Sequence, residues 1–124
     1  MSVQARQVNP LGNRVFMGTI TDKLSIHDAL ASVIDANVIT TATFELLGGV
    51  HQVEFSAYDF ERQERLTPII IKRPMEIVAG HGTISLLDDN THIHLHMALA
   101  YRDDTSPTGI QVVAGHVVQA FAYA

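Results

Sequence analysis

From Asn90 to Ala100 the chain reads Asn90-Thr91-His92-Ile93-His94-Leu95-His96-Met97-Ala98-Leu99-Ala100, with histidine alternating with large apolar residues. In a β-strand, alternate side chains share a face. His92, His94 and His96 then stand on one face, and Ile93, Leu95, Met97 and Leu99 on the other. The apolar face is a core face. Crowding imidazoles on the opposite face disfavours their charged forms, which points to a use for them. Imidazole titrates near neutral pH and is the commonest metal ligand among side chains. Alternate strand residues lie about 6.5–7 Å apart at Cα, close enough for two rings to converge on one ion with bonds of about 2.0–2.1 Å. The chain has no cysteine, so an ion here would be held by imidazole and carboxylate.

The remaining chemistry-bearing residues give bland patterns. His81 lies between Gly80 and Gly82, where backbone could approach a ligand, but a bulge position accounts for it equally. His27 falls in a first helical turn and is expected to be solvated, and His51 follows Gly48-Gly49 as a turn residue. Asp88-Asp89-Asn90 lacks the ligand count of a calcium loop and reads as a turn. Gly48-Gly49 lacks a phosphate-loop pattern, and no serine sits in a nucleophile elbow.

The elements that must position the histidines follow from periodicity. The chain has 124 residues, 47% of them hydrophobic and 17% charged, which suits one globular domain. Residues 1–12 read as an irregular lead-in and 13–124 as the domain. Arg14–Ile20 is predicted as a first strand. Ser25 is placed to cap a helix with Asp28 three residues on, and Ile26, Leu30, Val33 and Ile34 follow at helical spacing to about Asn37. Strands are predicted over Ile39–Leu47, Gln52–Tyr58, Pro68–Ile71, Met75–Leu87, the histidine segment and Ile110–Ala124, with a polar turn at Phe60–Arg65 and a loop at Arg102–Gly109. Gly80 and Gly82 mark a bend in the run Met75–Leu87. The expected fold is α+β, a mainly antiparallel sheet of about seven strands with one amphipathic helix.

The net charge is −5 with histidine neutral, and the eight Lys and Arg are scattered. Duplex binding by one chain is therefore disfavoured. No apolar run approaches the roughly 20 residues of a membrane span, and Met1–Arg6 has no signal-like apolar run. The expectation is a cytoplasmic protein.

Four stretches in this order resemble the PPC domain, the plant and prokaryote domain that also follows the AT-hook of nuclear plant proteins. They are Asn37–Val50, Met75–Ile84, His94–Ala100 with its H-x-H-x-x-L pattern, and Ala114-Gly115-His116-Val117-Val118 against a G-G-H-L pattern. Ala114 replaces the first glycine of that last element, Ala79-Gly80 replaces a Ser-Leu pair, and the sequence carries no AT-hook. The resemblance implies a homotrimer and a metal cluster built from the two histidine motifs. His94, His96 and His116 are then the candidate ligands of zinc or another divalent transition metal, with one coordination position open. His92 is a peripheral candidate, and Glu76 is the acid expected beside them as orienter, fourth ligand or general base. The alternative is that the histidines fill a trimer interface or a solvated face. A sheet with one helix also leaves a face uncovered, which subunit packing would cover. Three functions follow: a homotrimeric binding or regulatory module with a metal or small-molecule site, a metal-dependent enzyme on a small oxygenated or carboxylated substrate, and a DNA-associated protein.

Overall fold

Strands need partners, and in this chain one long strand supplies them twice. The computed structural model describes residues 3–9 and 11–124. One helix, α1 (Ile26–Asn37), precedes seven strands: β1 (Ala42–Ser56), β2 (Tyr58–Asp59), β3 (Glu64–Arg65), β4 (Ile69–Ile71), β5 (Met75–Leu87), β6 (Asn90–Arg102) and β7 (Ile110–Tyr123). The main sheet has the order β4-β1-β5-β6-β7, all antiparallel, and β1 also pairs with β7. The first half of β1 meets β5 and its second half meets β7, with register shifts at Leu46/Gly48 and Val50/Gln52. These bulges bend the strand and close β1, β5, β6 and β7 into a small barrel. Gly48, at φ +120°, takes a conformation that other residues avoid. The short β4 lies outside β1, with Val53 opposite Ile71.

Alternation decides what faces inward. On β6, Leu95, Met97 and Leu99 are buried while His94 and His96 are exposed. They join Val50, Val53, Phe55, Ile77, Val117 and Ala120 inside the barrel. The helix covers this core with Ile26. Ser25 caps α1 by accepting from the Asp28 N–H at 3.3 Å. Val38 ends the helix at φ 51°, in the left-handed region, and Arg14 donates to the carbonyls of Asn37 and Val38. Asp88 and Asp89 both have positive φ in the two-residue connection of β5 to β6, the geometry that matches strand twist.

The count of seven strands is reached by a different route from the periodicity. Ile39–Leu47 and Gln52–Tyr58 form one bent strand and Arg14–Ile20 forms none, and the two strands of the hairpin β2–β3 make up the difference. Arg14–Ile20 forms no strand: Val15 and Met17 are exposed, and no ladder partner lies beside them. In β5 the bulge falls between Ile77 and Ala79 instead of at the glycines. Gly80 and Gly82 instead make room. A Cβ on Gly82 would overlap the His94 carbonyl oxygen and the Phe44 ring. Among the described residues, no helix is long and apolar enough to cross a membrane.

Candidate metal centre

Cross-strand pairing builds the site. Register partners run across the outer face of the sheet as Glu45 on β1, His81 on β5, His96 on β6, His116 on β7 and Ser56 back on β1. Directly opposed antiparallel residues present their side chains on the same face, with Cβ atoms about 4.5–5.5 Å apart. His94 stands beside this row, two residues before His96 on the same face. Gly115 lets β7 settle on Phe55, whose ring atoms would lie 3.3 Å from any added Cβ, and this fixes the approach of the neighbouring His116.

The structure brings His94, His96 and His116 together. One ring nitrogen from each lies within 4.8 Å of the others. The Nε2 atoms of His94 and His96 are 3.0 Å apart, and ring centroids are 4.8 Å (His94–His96), 5.0 Å (His94–His116) and 5.7 Å (His96–His116). Three nitrogens around one zinc at its usual bond length would be about 3.3 Å apart, inside this range. His94 and His96 are exposed and His116 is half-buried, so the cluster is open to solvent on one side. Burial, then the neighbouring His94 and His81, holds the His96 imidazole below its ordinary value. Burial first, then the Arg65 guanidinium and the imidazoles of His94, His96 and His27, does the same to His116. Both changes favour the neutral form that binds metal. The Nδ1 atom of His116 is buried without a hydrogen-bond partner. Three neutral nitrogen donors with an open side fit zinc and its divalent neighbours.

Other candidates stand apart. His92 lies 6.1 Å from His94 and His81 lies 6.5 Å from His96 by ring centroid, both outside the cluster. Glu76 is not brought to the histidines. It faces Ala100, four residues along β6 from His96, or about 13 Å of strand. It lines a groove with Tyr101, Thr108 and Ile110 instead. His27 is half-buried rather than solvated, its Nδ1 without a partner. His51 sits within β1, 2.8 Å from Asp22 and stacked on Tyr123, instead of in a turn.

Three residues near the cluster carry no sequence signal of their own. Glu45 is the carboxylate in the row, opposite His81. Ser56 is buried opposite His116. Arg65 donates from Nη1 to Ser56 Oγ at 3.1 Å, and its guanidinium carbon lies 5.6 Å from the Tyr58 ring centroid. The hairpin β2–β3, with Tyr58 opposite Arg65, returns the chain to the end of β1 and so delivers this arginine.

Solved structures share the fold. A metal-containing protein from Archaeoglobus fulgidus superposes with a TM-score of 0.73 at 21% identity, over 84% of this chain and 69% of that one. A candidate DNA-binding protein from Bacteroides thetaiotaomicron gives 0.72 at 21% identity, over 85% and 68%. A plant- and prokaryote-conserved (PPC) protein from Pyrococcus horikoshii gives 0.70 at 20% identity, over 84% and 68%. None of the curated proteins matches the chain. The model of the Plants and Prokaryotes Conserved (PCC) domain matches residues 8–124, the same domain that the histidine motifs resemble, and the chain belongs to that family.

Proposed function

We propose that this protein is a homotrimeric binding module in which His94, His96 and His116 hold one divalent transition metal, zinc first, with a position left for a small-molecule ligand. The observation that carries the reading is the meeting of three ring nitrogens within 4.8 Å, drawn from two strands. A solved relative that contains metal adds support. For the assembly, the support is apolar surface left exposed on β1, β5 and β7: Leu47, Val78, Val112 and Val118 are exposed by 91%, 58%, 53% and 42%. Such a surface is characteristic of subunit contacts. Binding is favoured over turnover because Glu76 lies in a separate groove. Direct duplex binding, the description given to some relatives, sits poorly with a net charge of −5.

Elemental analysis of protein purified without a histidine tag tests the metal. One equivalent per chain, lost in the His94→Ala/His96→Ala variant, is expected; metal retained by that variant would refute the ligand set. Light scattering at micromolar concentration should report three chains, and a monomer would remove the assembly. An electrophoretic mobility assay at low salt should show no shift of duplex DNA.

A further inference from the structure

We infer that the ligand taken at this centre is a small carboxylate, with one end at the metal and the other paired with Arg65. The inference rests on the metal reading above and extends it to the class of ligand. Three observations lead to it. First, the donor set is uncharged. Among the described residues the cluster contains histidines and no carboxylate, so a divalent ion held there keeps its full charge. Second, a further cation is held beside the cluster. Ser56 is opposite His116 in the β1–β7 ladder, and Arg65 is hydrogen-bonded to the Ser56 hydroxyl. Third, among the described residues this arginine has no acidic partner. Its contacts are the Ser56 hydroxyl and the Tyr58 ring, and Arg62, not Arg65, takes the ion pairs of the hairpin with Asp59 and Glu64.

A dication and a guanidinium on one face of an acidic protein leave positive charge to be met by an anion. With Nη1 engaged by Ser56, the remaining N–H groups of Arg65 are free to donate. A planar guanidinium pairs best with a planar carboxylate, through two parallel hydrogen bonds. The hydroxyl of Ser56 and the Tyr58 ring hold the group in place before the ligand arrives, which lowers the cost of ordering it. Glu45, the carboxylate of the row, lies at its other end, beyond His81 and away from Arg65. Arg65 is therefore a ligand-binding residue that touches no metal.

Cobalt(II) as the bound ion reports ligand entry through its visible spectrum. Purified protein is loaded with cobalt and titrated with glycolate, with ethylene glycol as the neutral control and inorganic phosphate as the alternative anion. Wild type should show a saturable change with glycolate and none with ethylene glycol. Arg65→Gln should take cobalt as wild type does and lose glycolate affinity by at least about tenfold, the scale of one charge-assisted hydrogen bond. Ser56→Ala, which frees the arginine without removing it, should lose less, and it serves if Arg65→Gln does not fold. Glycolate affinity within twofold of wild type in Arg65→Gln would overturn the inference, as would phosphate binding more tightly than glycolate. No spectral response of the cobalt-loaded wild type to glycolate would overturn it while leaving the metal reading intact. Failure of wild type to take cobalt at all, seen before any glycolate is added, would sink both.

Discussion

Replacing His96 by alanine should abolish most of the thermal stabilisation that zinc gives. His96 is central to the cluster: it is 3.0 Å from His94 through Nε2 and directly opposite His116. At a free zinc concentration of about one hundred times Kd, binding to the native state adds about 2.7 kcal/mol. For a domain of this size that is a rise in Tm of about 10 °C, at about 4 °C per kcal/mol. Losing one of three protein ligands should weaken zinc by at least the roughly 100-fold that changes in supporting residues can cause. At the same zinc concentration the variant would then keep about 0.4 kcal/mol, or less than about 2 °C. His92→Ala is the control, because His92 is outside the cluster and its removal should leave the rise intact. The assay is differential scanning fluorimetry at fixed protein concentration, with and without zinc, starting from chelator-treated protein. Equal rises in His96→Ala and wild type would refute the reasoning, as would the loss of the rise in His92→Ala.

Metal-free protein should lose stability as pH falls below about 6.5, because His27, His96 and His116 are all held below their ordinary values in the folded state, chiefly by burial. In that range the unfolded chain binds protons that the native state resists, so the stability present above pH 6.5 is lost on acidification; urea midpoints that stay level from pH 7.5 to 5.5 would contradict this. Val38→Gly should raise stability by about 1 kcal/mol, since Val38 closes the helix with φ 51° and is 79% exposed; a lower urea midpoint would count against strain at that residue. Gly82→Ala should cost about 1–3 kcal/mol, because the new methyl meets the His94 carbonyl and the Phe44 ring, and zinc affinity should fall with it as β5 is pushed from β6; an unchanged Tm would show that this contact is not tight.

Alternation along one strand makes the histidine face legible in the sequence, because burial of Leu95, Met97 and Leu99 leaves His94 and His96 only one direction to point. Ser25 and Asp28 marked the helix start for an equally local reason. His116 was reachable only through its family pattern, since no local periodicity ties it to a residue twenty positions earlier. Glu45, Ser56 and Arg65 were out of reach. Their places depend on where β1 bends and on which half meets which partner, and pairing over such separations leaves no mark in neighbouring residues. Glu76 misleads for the same reason: it lies on β5, the strand next to the histidine strand, but four rungs away from the cluster. Arg14–Ile20 has strand-like composition yet forms no ladder, which shows that propensity needs a partner to become structure.

All three candidate ligands belong to a single hairpin, β6–β7, whereas Arg65 and Ser56 arrive only when β1 wraps across β7. The two parts of the centre therefore differ in when they can assemble. Closing the loop between β6 and β7 joins nearby residues, while docking β1 on β7 joins residues as far apart as Gly49 and Tyr123, a slower event by contact order. An ion captured by the hairpin would clamp its register while the rest of the chain is still open, so zinc present during refolding should raise the folding rate and not merely slow unfolding.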